Sequence, residues 1–225
     1  MHPKLEQVRK LLAKADSVAG TPEADAFNAK AFDLIAQYGF DEAAARAVDN
    51  AGPADIVKRN VHITGQYRTQ QRLLVYGLVR ALHCAGAGHN YVEQLFGTDQ
   101  ALDRIEVLFS TLRLQMFSGA KTARGYDASS TKVARRRWME GFAQAVYSRL
   151  SEAEQHATAA SPGAAVVLVD DRDRADQKMR DELRVRAPRR RIVRGDHAAA
   201  AAGAAAGSRA DIGHDRIGSR LAIGA

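Results

Sequence analysis

The chain is poor in cysteine and has no long apolar run, and these two features argue against a disulfide-linked protein and a membrane-spanning protein. Cys84 is the single cysteine among 225 residues, so a disulfide framework within the chain is excluded and we expect a reducing cytoplasm. No apolar segment approaches the ~20 residues of a transmembrane helix. The first residues, MHPKLEQVRK, contain no apolar core of a signal peptide. We therefore expect a globular protein without membrane association.

Motifs of common catalytic chemistry are scarce as well. The sequence has no H-E-x-x-H pair of a zinc peptidase. The glycines at 86–88 lack the lysine and the hydroxyl residue of a phosphate-binding loop, and they precede a predicted strand rather than a helix. No serine lies in a nucleophile elbow, and no cofactor is implied. The absence of these motifs from the sequence favours a non-enzymatic protein over an enzyme.

Positive charge is plentiful but unevenly distributed. The net charge is +7 and the pI is about 9.7. Residues 1–50 carry six Lys and Arg against eight Asp and Glu, whereas residues 51–160 carry fourteen against nine and residues 161–225 carry thirteen against nine. An acidic N-terminal part therefore precedes a basic remainder. A basic balance favours association with polyanions, nucleic acid first among them.

The first fifty residues show the pattern of a helical hairpin. Apolar residues recur at three- and four-residue intervals, first Leu5, Val8, Leu12 and Ala15, then Phe27, Ala31, Leu34 and Tyr38. Thr21, Pro22 and Glu23 suit the N-cap and first turn of a second helix. Gly39 suits a C-terminal stop, and Asp41 would then cap a third short helix over 42–49. The break at 50–53 is the predicted domain boundary.

The rest of the chain predicts a helix-rich α+β domain over 54–184, followed by a basic and Ala/Gly-rich segment over 185–225. The predicted elements are a strand at 56–63, a helix at 68–84, a turn at the AGAG sequence that leads into an edge strand, a helix after Thr98, a loop at 118–130, a long helix at 131–157, an apolar strand at 164–170 and a helix at 172–184. In this scheme Ser130 or Thr131 caps the long helix, Trp138 and Phe142 are core residues, and Gly203 and Gly207 allow close helix packing. The expected fold is α+β and mostly helical, with an N-terminal helical hairpin and a small sheet of short strands.

The hairpin resembles a bacterial and phage family known as domain of unknown function 2786. Members read approximately K-x-x-K/R-L-L-A-K/L-A, a variable turn, and E-A-x-A-x-x-x-K-A-x-x-L-x-x-x-Y-G-x-D. The matching positions are Lys10–Ala15, Glu23, Ala24, Ala26, Lys30, Ala31, Leu34, Tyr38, Gly39 and Asp41. The region after the hairpin is more weakly similar to the region that commonly follows this domain. The resemblance implies a fold and no established activity.

Two groups of residues are candidates for metal or catalytic chemistry. His83, Cys84 and His89 form H-C-x4-H, with soft and imidazole ligands that zinc accepts, but the second ligand pair of a structural zinc site is missing. A helix-end histidine and a buried cysteine explain the same pattern. Asp170 and Asp171 follow the apolar run and are candidates for holding magnesium; alternatively they belong to a polar strand end that caps the next helix, together with Asp173.

Two basic stretches are the candidates for binding a polyanion. Between positions 121 and 137 lie Lys121, Arg124, Lys132, Arg135, Arg136 and Arg137, with Tyr126 among them and Asp127 as the one acid. The second stretch, 184–194, includes Arg189, Arg190 and Arg191. Loop amides, guanidinium groups and a helix N-terminus together suit phosphate. The alternative is a solvated, arginine-biased surface. A separate hypothesis is an interaction or assembly component, a homo-oligomer or a partner-binding protein, in which the acidic hairpin docks on a basic surface of a neighbour.

Overall fold

The computed structural model describes residues 3–18, 21–48, 52–159, 162–183 and 201–205. Its elements, in chain order, are α1 (Pro3–Ser17), α2 (Pro22–Val48), β1 (Val57–His62), α3 (Arg68–Ala81), β2 (Ala85–His89), β3 (Val92–Gly97), α4 (Asp99–Ala120), α5 (Ala128–Ala159) and α6 (Pro162–Leu183). A short helical stretch covers 201–205. The predicted α+β fold, mostly helical with a small sheet, is confirmed.

The N-terminal hairpin forms from its apolar stripes, as predicted. Leu5, Val8 and Leu12 on α1 are buried against α2. Thr21 is the N-cap of α2, since its hydroxyl accepts a hydrogen bond from the backbone N–H of Ala24 at 3.2 Å. Two helices of this size bury little alone, and the hairpin stripe joins one continuous core with α3, α4 and α5. The domain division at 50–53 stays a prediction.

Gly39 does not end the second helix, contrary to the sequence prediction. Helix α2 continues through Gly39 to Val48, so the separate helix at 42–49 and its cap at Asp41 are wrong. Asp41 instead accepts hydrogen bonds from Gln37 and Lys4. A Cβ at position 39 would overlap the guanidinium of Arg104 on α4. The glycine therefore serves helix packing, which local sequence rules for helix ends do not register.

The sheet has three antiparallel strands in the order β1-β3-β2. Val57 lies opposite Gly97 and His62 opposite Val92 in the first pair, and Ala85 lies opposite Phe96 in the second. Leu95 on β3 joins the main core, whereas Phe96 packs on Ala175 of α6. The sheet is thus enclosed between the core helices and α6.

The AGAG sequence is strand β2 rather than a turn, and β3 is the central strand rather than an edge. The turn lies at Asn90 and Tyr91, whose φ angles are 51° and 65°, the left-handed values of a tight hairpin. Gly88 lies opposite Glu93, and a Cβ at Gly88 would overlap the Glu93 carboxylate. These glycines admit a buried side chain from the neighbouring strand, so their turn propensity misled the prediction.

A buried carboxylate joins α3 to the sheet. Glu93 is fully buried, its Oε1 lies 2.7 Å from Nε of Arg72, and its Oε2 accepts a hydrogen bond from the Tyr76 hydroxyl. Burial, followed by the hydrogen bond to Glu93, raises the pKa of Tyr76 to about 12. The tyrosine therefore stays a neutral donor to the carboxylate at physiological pH.

The predicted strand at 164–170 is also wrong, because this segment is the first half of α6. Ala164, Leu168 and Asp171 are buried at intervals of four and three residues, the spacing of a helix face. Val166 and Val169 between them are 68% and 55% exposed. The pattern of a short apolar run fits a strand or a helix equally well. Here one face of the segment packs on α2, and this packing favours the helix.

Other predictions about the helices and the core are confirmed. The helix predicted after Thr98 begins at Asp99, and the Thr98 hydroxyl caps it by accepting a hydrogen bond from the Ala101 N–H at 3.3 Å. Trp138 and Phe142 are buried and stack at 5.5 Å between ring centroids. Gly203 lies against the backbone of Trp138 with no room for a Cβ, as close packing requires, whereas Gly207 lies outside the described residues.

We predict that Gly39→Ala destabilises the protein although alanine is the better helix former. Alanine gains about 1 kcal/mol of helix propensity, but its Cβ must displace the buried Arg104, and such overpacking costs about 1–3 kcal/mol. Urea unfolding of both proteins measures the difference. Gly163→Ala is the matched control, because its Cβ would make an ordinary contact with Ala47 at 3.4 Å. Equal stability changes at both positions would contradict the packing role.

Candidate nucleic-acid interface and the buried charge cluster

The first predicted basic stretch spans the loop 121–127 and the first turns of α5. Asp127 is the cap of this helix: its Oδ1 accepts from the Ser130 N–H at 2.6 Å, and the Ser130 hydroxyl accepts from the Asp127 N–H at 3.0 Å. The prediction that Ser130 or Thr131 caps the helix is therefore wrong. Hydrogen bonds from Ser130 lower the pKa of Asp127. The one acid of this stretch is occupied by backbone N–H groups and leaves the cations unneutralised.

The six predicted cations of this stretch divide by exposure. Those that face solvent are Lys121, Arg124, Lys132 and Arg136, while Arg135 and Arg137 are half-buried. Arg137 pairs with Glu140 at 2.7 Å. In the described part of the chain, no carboxylate lies within the 4.0 Å ion-pair distance of Arg135 or Arg136. The stretch therefore presents uncompensated positive charge.

Helix geometry places these cations around one end of α5. Lys132 and Arg136 are four residues apart and share the exposed face. Arg135 and Arg137 are two residues apart, so about 200° of rotation separates them, and they occupy opposite flanks of the helix. Each flank borders a concave surface, one lined by Arg135 and the other by Arg137.

The first concave surface, which we name the Tyr67 cleft, has a volume of about 290 Å³. It lies between the loop before α3, the end of α4 and α5. Its lining comprises Gln66, Tyr67, Phe117, Ala120, Lys121, Arg135 and Met139. Tyr67 and Phe117 form a tilted aromatic pair with ring centroids 6.5 Å apart. Aromatic and apolar walls thus meet two cationic side chains, Lys121 and Arg135.

The second surface, the α3–α5 groove, is larger, at about 560 Å³. It includes Leu73, Tyr76 and Arg80 from α3, and Arg137 and Tyr147 from α5. The Arg80 guanidinium lies 4.7 Å from the centroid of the Tyr147 ring, within cation–π range. Arg137 lines the groove together with its ion-pair partner Glu140, so the positive charge along this surface comes from Arg80.

The second predicted basic stretch cannot be placed against the first. Arg189, Arg190 and Arg191 lie outside the described residues, as do the other arginines between 184 and 194. The structure thus assembles the 121–137 cations at one end of α5, and the contribution of the second stretch stays a prediction.

Two of the predicted zinc candidates, His83 and Cys84, are engaged in other contacts, and His89 is the last residue of β2. The Cys84 thiol is buried and donates to the Leu82 carbonyl at 3.4 Å, and burial raises its pKa to about 12. A zinc ligand must be a thiolate, so this environment opposes metal binding. His83 lies beside Glu154, with 3.8 Å between Nε2 and Oε2. Within the described residues, no three His, Cys, Asp or Glu side chains are grouped as metal ligands would be.

Asp170 and Asp171 also have different roles from the predicted magnesium site. Both lie inside α6 rather than at a strand end, and Asp170 is exposed. Asp171 is buried and accepts two hydrogen bonds from Arg46 of α2, at 3.0 and 2.6 Å. This bidentate geometry is that of a strong arginine–carboxylate pair. Asp171 therefore links the hairpin to α6, and a carboxylate engaged in this way is poorly placed to bind a cation.

His83 and Asp171 nevertheless approach a common polar region, the buried charge cluster. Its ionisable members are Glu42, Arg46, His83, Arg104, Glu154 and Asp171. Arg104 and Glu154 are 2% and 3% exposed and form a direct ion pair. The space among these groups is about 10 Å³, which is about one water molecule. A substrate does not fit, so the cluster is a structural element.

Sequence reasoning missed the residues that define these two regions. Arg104 and Glu154 each occupy a buried position inside an otherwise regular helix pattern. In α4, Arg104 sits between the apolar Leu102 and Leu108, and a charge within an apolar stripe is the signal that identifies it. Tyr67 and Phe117 carry no such signal, because their proximity depends on how α3 and α4 pack.

Comparison with known families supports the assignment of the N-terminal segment. Residues 4–42 match the family described as Protein of unknown function (DUF2786). The match covers α1 and most of α2, and it confirms the resemblance of the hairpin. The weaker resemblance of the following region stays a prediction. No curated protein and no solved structure matches the chain.

Within the described ranges, no helix is both long enough and apolar enough to cross a bilayer.

We predict that breaking the Arg104–Glu154 pair costs far more than breaking an exposed pair. Glu154→Gln leaves the buried guanidinium without its counter-charge, which costs about 3–5 kcal/mol of unfolding free energy. Replacing both partners, Arg104→Met with Glu154→Leu, should recover most of that loss. Asp41→Asn is the control: its partner Lys4 is 2.6 Å away, but both side chains are over 40% exposed, and such pairs contribute about 1 kcal/mol or less. Similar losses in Glu154→Gln and Asp41→Asn would refute the central role of the buried pair.

We predict a second effect of the buried charge cluster: the free energy of unfolding decreases at acid pH because of His83. Burial, followed by the charges of Arg104 and Arg172, lowers the pKa of His83 to about 4. The unfolded chain binds a proton near pH 6.5 whereas the folded chain does not, so stability present above pH 6.5 is lost as pH falls toward 4. The difference corresponds to about 3 kcal/mol.

The matched variant is His83→Asn, because asparagine tolerates the φ of 56° at this position. The free energy of unfolding of the wild type, relative to this variant, should decrease by about 3 kcal/mol between pH 7 and pH 4. Parallel pH curves for the two proteins would show that His83 is not responsible.

Proposed function

We propose that the protein is a non-enzymatic nucleic-acid-binding module, whose binding face comprises the loop 121–127 and the N-terminal turns of α5. The observation that carries the proposal is the group of cations Lys121, Lys132, Arg135 and Arg136. In the part of the chain that the structure describes, these four have no carboxylate partner within ion-pair distance. Cations left unpaired at one end of a helix are suited to phosphate contacts.

The shape of the surface supports the same face. The Tyr67 cleft and the α3–α5 groove border the first turns of α5 on either flank and contain aromatic rings together with arginine.

The other functions considered from the sequence have weaker support. An enzyme centred on His83, Cys84 or Asp171 would need a substrate volume, and the enclosed space there is about 10 Å³. The hairpin uses much of its surface for packing on α4, α5 and α6, which reduces what remains for a protein partner. The single buried thiol, Cys84, fits the reducing cytoplasm that we expect as the compartment.

We predict that binding to a 15-nucleotide fluorescent DNA strand and to the corresponding duplex is strongly salt-dependent. Fluorescence anisotropy between 50 and 200 mM salt gives the slope of log K against log salt concentration. The double variant Lys132→Glu with Arg136→Glu removes two phosphate contacts, so the slope should decrease in magnitude by roughly 1.4 for the single strand and 1.8 for the duplex.

The control variant, Arg9→Glu with Lys10→Glu, changes the net charge by the same amount. Both residues are exposed on α1, which lines neither concave surface. The control variant should keep most of the wild-type slope of log K against log salt concentration. Absence of binding at 50 mM salt, or equal effects of the two double variants, would reject the proposed face.

A further inference from the structure

From the geometry of the Tyr67 cleft we infer that it accepts a single unpaired nucleobase, with the adjoining phosphate held by Arg135 and Lys121. The inference rests on the proposed function and names its substrate class, single-stranded rather than duplex nucleic acid. It follows from the position of Tyr67, from the environment of Arg135 and from the shape of the cleft.

Tyr67 occupies a backbone position for which tyrosine is locally unsuited. It precedes the first residue of α3 as its N-cap, with φ 54° and ψ 38°, and its side chain makes no capping hydrogen bond. A left-handed conformation at a bulky residue is strained, and N-caps favour Ser, Thr, Asp or Asn. Backbone preference therefore does not account for the choice of tyrosine here. The ring packs on the core beside Phe117 and also forms an aromatic wall of the cleft.

A buried glutamine holds this loop in place. Gln71 is fully buried, and its Nε2 donates to the carbonyls of Thr64 and Gln66 at 2.8 and 2.7 Å. The Tyr67 carbonyl accepts from the N–H groups of Gln70 and Gln71, both at 3.0 Å. These bonds fix the segment that precedes α3, so the ring is positioned before any ligand arrives. Preorganisation of this kind lowers the entropic cost of binding.

Arg135 provides an anion site beside the rings. Its Nε is buried and has no hydrogen-bond acceptor in the described part of the chain. The guanidinium likewise has no carboxylate neighbour there within ion-pair distance. The charge of this guanidinium therefore has no counter-charge in the described part of the chain, and a phosphate bound in the cleft would supply one. Lys121 on the rim supplies a second, exposed charge.

The dimensions of the cleft select the ligand. At about 290 Å³ it lies near the lower end of volumes for small-molecule pockets, roughly 300–1,000 Å³. A flat aromatic group against Tyr67 or Phe117, with an anion at Arg135, has the chemistry of one nucleotide. Bases within a duplex are stacked on each other and cannot enter a side pocket, whereas unpaired bases stack readily on aromatic side chains. The cleft therefore favours a single strand.

The test compares two fluorescent 15-mers of equal charge: oligothymidylate, and the same backbone with abasic residues at every position. Stacking of one base should make the first bind about 5- to 150-fold more tightly at the same salt concentration. Tyr67→Asn removes the ring at a backbone conformation that asparagine tolerates, and it should bring the two affinities together. Phe117→Leu, which removes the other aromatic ring of the lining, should reduce the ratio in the same direction.

Tyr126→Ala is the matched control, since it removes an exposed aromatic ring from the same basic loop but outside the cleft. It should leave the affinity ratio unchanged. Circular dichroism and thermal unfolding show whether each variant is folded. If Tyr67→Asn does not fold, the affinity ratio of Phe117→Leu decides the outcome.

The possible failures are distinguishable. If neither 15-mer binds at low salt, the proposed function fails and the cleft assignment fails with it. If both bind equally and with a steep salt dependence, polyanion binding stands and the base-binding cleft is overturned. Loss of the ratio in Tyr126→Ala but not in Tyr67→Asn would move base recognition to the loop and would also overturn the cleft.

Discussion

The ion pair between Arg104 and Glu154 is the constraint to which the surrounding packing conforms. Both side chains are almost fully removed from water, and an isolated buried charge is costly enough that each residue requires the other. Burial raises the pKa of Glu154 to about 6 while Arg104 opposes the rise, so the carboxylate is ionised at neutral pH. The Arg104 guanidinium packs directly against the backbone of α2, where a side chain would overlap it. Gly39 leaves that space free. One polar contact therefore ties the positions of α2, α4 and α5 together.

This arrangement separates the structural and candidate functional parts of one helix. Glu154 lies in the last turns of α5, where the helix is embedded in the buried charge cluster, and Arg135 and Arg136 lie in its first turns. The space within the cluster is about 10 Å³, comparable to one water molecule, and leaves no room for a larger ligand. The Tyr67 cleft is at the opposite end, beside unpaired cations. A long helix anchored at one end presents the side chains at the other on a rigid support, which suits a binding site.

Elements with strong local signals were predictable and were predicted. The apolar stripe of α1, the cap Thr21, the start of α4 after Thr98 and the burial of Trp138 follow from periodicity and capping chemistry alone. The basic composition of the candidate face was likewise visible in the sequence. The cleft beside it was not, because Tyr67 and Phe117 are fifty residues apart and meet only through helix packing. Predictions failed where a glycine or an apolar run has two interpretations, as at Gly39, in the AGAG sequence and at 164–170.

The sequence by itself determined which segments are amphipathic, where most helices begin, and where positive charge accumulates, because these properties depend on neighbours within a few residues. Tertiary structure decided whether a glycine ends a helix or admits a distant arginine, and whether an apolar run becomes strand or helix. It also decided which charges are neutralised: Arg46 and Arg104 are paired inside the protein, whereas Arg135 and Arg136 have no such partner in the described chain. Contacts between residues far apart in sequence set these outcomes, since the energy of a buried charge or of a missing Cβ depends on what packs against it.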